Sequence, residues 1–69
     1  MADSVYKVIE LVGASEVSWD DAAKVAIERA SKTLKDLRIA EVIQQDIKVE
    51  SGKALMFRTK LKVSFKYLD

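Results

Sequence analysis

The chain has 69 residues, of which 49% are hydrophobic and 33% charged, with a net charge of +1. That is the composition of one globular domain rather than a disordered segment. The absence of cysteine and histidine excludes disulfides, thiolate metal sites, cysteine nucleophiles, imidazole acid–base catalysis and ordinary zinc chemistry.

No run reaches eighteen apolar residues, so no membrane-spanning segment is expected. No basic-then-apolar leader opens the chain, which makes a cytoplasmic protein the default expectation. With no proline and two glycines there is little room for linkers, and residues 1–69 read as a single domain. A chain this short buries only about 60% of its unfolded surface. Without disulfide or zinc, self-association is the remaining way to stabilise it.

Val5 to Val12 is rich in β-branched residues and predicts a first strand, ended by Gly13, with Ala14 to Val17 as a connector. Ser18 then stands three residues before Asp21, with Asp20 between. This is a helix N-cap followed by first-turn acids that the helix dipole favours. Apolar residues at 19, 23, 26, 27, 30, 34 and 37 form one helical stripe, which predicts a helix of about 17 residues. Lys24, Glu28, Arg29, Lys32, Lys35 and Asp36 fall on its outer face, and Glu28 and Lys32 form an i,i+4 pair. Trp19 opens the stripe and reads as a core or interface anchor.

Arg38 to Val49 alternates imperfectly and predicts a second strand. Lys53 to Tyr67 alternates cleanly. Leu55, Phe57, Leu61, Val63, Phe65 and Tyr67 share one face, and Met56, Arg58, Lys60, Lys62, Ser64 and Lys66 the other. Phe57, Phe65 and Tyr67 are therefore further candidate core or interface anchors. A three-residue loop ending at Gly52 would set Val49 opposite Lys53 and Ile47 opposite Leu55, keeping the apolar faces together. Arg58 would then face Gln44 and lie diagonal to Asp46. The expected fold class is α+β: one helix on a three-stranded antiparallel sheet in the order β-α-β-β. One helix covers only part of such a sheet. Uncovered apolar surface is therefore expected near the strand ends and on the first strand, and it points to a closed homo-oligomer.

VYKVIELVGAS, SWDDAAKVAIERASKTLKDL, AEVIQQDIKVESGK and FRTKLKVSFKY, in that order, closely resemble the dodecins. The resemblance covers nearly the whole chain. It implies a sheet wrapped around its helix and twelve copies in a hollow cage. It also implies a non-enzymatic protein that binds or stores a small molecule, which in many dodecins is a pair of flavins; the alternative is a structural cage with no dedicated ligand. Flavin-binding members carry a stacking Trp just before the Ala/Phe-Glu-Val of the second strand, where this chain has Ile39. They carry a ring-binding Gln in the third strand, where this chain has Arg58. Loss of the aromatic platform removes about 1 kcal/mol or more of stacking per ring face. An arginine donates hydrogen bonds but cannot accept them. Flavin binding is therefore expected to be weak or absent, with the mononucleotide FMN preferred over riboflavin because Arg58 attracts phosphate. The flavin-site equivalents are Ile39, Arg58, Gln44, Gln45 and Arg38.

The pair Ile39 and Arg58 looks like a second dodecin branch that includes calcium-binding members. Candidate oxygen ligands for Ca²⁺ are Glu16, Asp20, Asp21 and Asp46. Six to eight oxygens are needed, so several copies would have to share a site. Asp20 and Asp21 also serve the helix start. The lane Arg58, Lys60, Lys62 and Lys66 reads as a solvated strand face, and no nucleic-acid partner is expected at a net charge of +1.

Overall fold

The structure, a computed structural model, describes residues 3–67. Strand β1 (Tyr6–Ser15) leads into helix α1 (Trp19–Ala30), and strands β2 (Leu37–Glu50) and β3 (Lys53–Lys66) follow. The sheet order is β1-β3-β2 and both pairings are antiparallel. The expected β-α-β-β fold is therefore present, with β3 as the central strand. No helix among the described residues is long and apolar enough to cross a membrane.

Strand β1 runs three residues beyond the expected end at Val12. Gly13 pairs with Thr59 inside the sheet, and Ala14 and Ser15 continue the ladder instead of forming a connector. The glycine is there for a close approach rather than a turn. A Cβ at Gly13 would lie 2.0 Å from the carbonyl oxygen of Ala22 and 3.0 Å from Ala26 Cβ. Three alanines, Ala22, Ala26 and Ala30, are the buried residues of α1. The helix thus lies directly on the backbone of β1, and small residues on both sides permit it.

The helix starts where expected. Ser18 Oγ accepts from the Asp21 amide at 2.9 Å, and Asp20 and Asp21 occupy the first turn. It ends sooner, after 12 residues rather than 17. The Leu34 amide still reaches the Ala30 carbonyl at 2.8 Å, but residues 31–33 form a turn and Asp36 takes a positive φ of 59°. Lys32 therefore lies outside the helix. Among the described residues, the ion pairs are Arg58–Asp46 and Lys60–Glu10, so Glu28 and Lys32 are not paired. Leu37 leaves the predicted stripe and opens β2 opposite Phe65, because pairing to the central strand satisfies its backbone as well as its side chain.

The β2–β3 turn also differs from expectation. Glu50 pairs with Lys53, so the loop is the two residues Ser51 and Gly52, both at positive φ (51° and 76°). Positive φ at both central positions gives the twist that matches the flanking strands. Val49 then faces Ala54, which alone would mix the two faces. A bulge corrects it: Lys48 pairs with Met56 and leaves Leu55 as the extra residue. Beyond it Ile47 faces Phe57, and Asp46 stands directly opposite Arg58 rather than diagonal to it.

The core is small. Leu61 and Val63 of β3 are fully buried against Ala26, with Ile9, Leu11, Ile27, Leu37 and Ala40 around them. The helix is about 18 Å long, whereas the 14-residue strands extend about 46 Å. Much apolar surface therefore stays in water, including Val5, Tyr6 and Val8 at one end and Val49 and Leu55 at the hairpin end. Phe57 and Phe65 are half-buried, while Tyr67 is half exposed and lies outside the core cluster.

Candidate functional site

The sheet face away from the helix carries the charged chemistry, and the register sets it in rows across β1, β3 and β2. Val12, Lys60 and Gln44 form one row, and Ala14, Arg58 and Asp46 the next. Between them lies a cleft of about 230 Å³, lined by Val12, Gln44, Asp46, Arg58 and Lys60.

Arg58 and Asp46 meet side by side. Arg58 Nε donates to Asp46 Oδ1 at 2.7 Å, and a terminal guanidinium nitrogen donates to Oδ2 at 2.8 Å. This fork-to-fork geometry is the strongest form of the pair. The hydrogen bond from Arg58 holds the Asp46 carboxyl below the usual carboxylate range, and Asp46 in turn raises the guanidinium. A carboxylate with a lowered folded pKa contributes its stability above the unfolded value, about 3.9, and loses it as the pH falls through the folded value. Melting curves from pH 7 to pH 2 should therefore show Asp46→Asn less stable than the parent at neutral pH. The gap should close only at the acidic end. A gap that stays constant to pH 2 would contradict this role for the pair.

Asp46 is also held from the other side of the sheet. Trp19 Nε1 donates to the Asp46 carbonyl at 3.0 Å, and the Trp19 ring meets Phe57 edge-on at 5.1 Å between centroids. Thr59 Oγ1 donates to the Trp19 carbonyl at 2.9 Å. The start of α1 is thereby tied to β2 and β3 directly beneath the cleft. In the next row, Lys60 Nζ lies 3.5 Å from Glu10 Oε1. Both cations of the cleft thus have an anionic partner.

The flavin-site equivalents divide into three places. Arg58 and Gln44 share the cleft. Ile39 and Arg38 lie in a separate hollow with Ile27, Leu37, Ala40 and Val63. Gln45 pairs with Thr59, which puts it on the helix side. Ile39 faces Ser64, six residues along β3 from Arg58, or roughly 20 Å. No single flat ring reaches both within one chain.

The candidate calcium ligands are likewise dispersed. Glu16 and Asp20 are exposed, Asp21 Oδ2 accepts from Ser15 Oγ at 2.6 Å, and Asp46 is committed to Arg58. Among the described residues, no three Asp or Glu side chains are grouped to hold a metal ion. Sequence reasoning does not find Val12 in the cleft or Glu10 beside Lys60, because the pairing of the first strand with the third leaves no signal in either strand alone. It did place Lys60 on the correct face.

Residues 5–68 match the model of the Dodecin family. Calcium dodecin from Mycobacterium tuberculosis is 49% identical over 63 residues, which are 91% of this chain and 89% of that protein. A crystal structure of that calcium dodecin, described as having a novel calcium-binding site, superposes with a TM-score of 0.85 at 48% identity. It covers 94% of this chain and 93% of its own. Dodecin from Streptomyces coelicolor superposes with a TM-score of 0.92 at 35% identity, over 100% of this chain and 99% of that one. With the element order, the helix start and the alternating third strand already in place, the match along nearly the whole length has one meaning: the chain belongs to the dodecin family.

Proposed function

We propose that this protein is a non-enzymatic, small-molecule-binding dodecin that assembles as a hollow homododecamer. The observation that carries this reading is the apolar surface left in water. Val8, Val12 and Ile39, on the face away from the helix, are 55%, 56% and 68% exposed. Exposed apolar area on this scale marks an interface. A groove of about 480 Å³ between β1 and α1, lined mostly by Leu11, Val12, Gly13, Ala14, Val25, Ala26 and Ala30, offers a second contact surface. The distance between Ile39 and Arg58 agrees with sites shared between copies.

Flavin binds this chain weakly or not at all on this reading, since Ile39 offers no π-face and Arg58 is occupied by Asp46. The double substitution Ile39→Trp with Arg58→Gln should restore platform and amide together. Riboflavin is the suitable probe, because the freed Asp46 would repel a phosphate. Quenching of riboflavin fluorescence should show at least a tenfold gain over the parent, about 1.4 kcal/mol, and neither single change should match it. Submicromolar quenching by the parent would contradict this.

A second reading, that the ligand is Ca²⁺, draws on the 49% identity to a calcium dodecin. The ligands would come from Glu16, Asp20 and Asp21 of several copies, because one chain does not group them. Calorimetric titration with Ca²⁺ should then give saturable heat that Asp20→Asn reduces. No saturable heat from the parent would remove this reading.

A further inference from the structure

Three charged groups line the cleft on the open sheet face, Asp46, Arg58 and Lys60, and Glu10 beside Lys60 balances their charge. Arg58 is held by Asp46 through two hydrogen bonds of 2.7 and 2.8 Å, and Lys60 lies 3.5 Å from Glu10. Gln44, the remaining polar lining residue, carries an amide and no charge. An anion entering the cleft must therefore compete with a carboxylate already seated on the guanidinium fork. The backbone beneath Asp46 is fixed by the indole of Trp19, so the carboxylate is positioned by both the helix and the neighbouring strand.

We propose that Asp46 is a specificity-determining residue: by occupying Arg58 it closes the cleft to phosphate-bearing ligands and leaves it suited to an uncharged ligand edge, read by Gln44. A free Arg58 would favour the phosphorylated ligand, which was the expectation from sequence. The paired Arg58 reverses that preference. Removing the Asp46 charge opens the fork and creates an anion site from Arg58, with Lys60 beside it.

This inference concerns the charge of the cleft and does not require that flavin be the physiological ligand. The test uses the assembled protein, its Asp46→Asn and Asp46→Ser variants, and pyrophosphate as the probe, followed by calorimetry at low, fixed ionic strength. The parent should bind pyrophosphate weakly, at or below the limit that the calorimeter can bound. At least one variant that retains the assembled mass of the parent should bind pyrophosphate at least tenfold more tightly, and adding Arg58→Ala should abolish the gain. In parallel, FMN quenching should rise relative to riboflavin in the same variants. Assembled variants that gain no pyrophosphate binding, or a gain that survives Arg58→Ala, would overturn the role of Asp46. Failure of both flavins to bind any variant would instead count against a flavin-type ligand, and pyrophosphate would still decide on Asp46.

Discussion

Gly13→Ala should destabilise the fold by about 3 kcal/mol or more, at or above the top of the usual range for overpacking. The new Cβ would lie 2.0 Å from the Ala22 carbonyl oxygen and 2.9 Å from its carbon. Those are backbone atoms, so no side-chain rotation relieves the clash. Either α1 lifts from β1 or the strand bends away. Both open the contacts of Ala26 with Leu61 and Val63, which form most of the buried core. The measurement is chemical denaturation of the purified variant against the parent. Gly52→Ala is the informative contrast. A Cβ at Gly52 meets nothing within 4 Å, so its cost is limited to the strain of a φ of 76° and should be about 1 kcal/mol. Equal stability of Gly13→Ala and the parent would mean that the helix does not sit on β1.

Trp19→Ala should cost roughly 3 kcal/mol, the scale for truncating a large aromatic. Three links are lost together: the edge contact with Phe57, the indole bond to the Asp46 carbonyl, and the side chain's cover of the α1 start. Trp19→Phe separates them. It keeps a smaller aromatic ring near Phe57 and removes the indole donor, so about 1 kcal/mol for the hydrogen bond should be lost, plus a lesser packing loss. Thermal unfolding of both variants checks the order. An unchanged melting temperature for Trp19→Ala would show that the indole contributes nothing to the joint between helix and hairpin.

Much of this arrangement was legible in the sequence, for identifiable reasons. Strand β3 alternates on the side that faces the helix with a single polar interruption at Thr59, so its two faces could be read directly. The helix start was legible because Ser18 and Asp21 are a local signal at fixed spacing. What failed were features set by tertiary contacts. Gly13 has the appearance of a terminator, but its meaning depends on a helix packed so close that a Cβ there would lie 2.0 Å from the Ala22 carbonyl oxygen. Leu34 and Leu37 continue the helical spacing, and only the competing partner Phe65 draws Leu37 into a strand. The hairpin register depended on a bulge at Leu55, and an inserted residue leaves no periodic trace. That bulge is also why Asp46 came to lie directly opposite Arg58. In the candidate site, the residue types were legible from the strand face and from the family resemblance. The neutralisation of Arg58 was not, because it depends on that register. Ile39 pairs with Ser64, six residues along β3 from Arg58 within one chain, so a ligand that meets both must take them from two copies.

The central claim is that this short chain completes its core and its binding sites by closed self-assembly. Its mass in solution is the most direct test. Multi-angle light scattering at micromolar concentration should give a single species of about 92 kDa, twelve copies of the 7.7 kDa chain. A folded monomer at that concentration would contradict it.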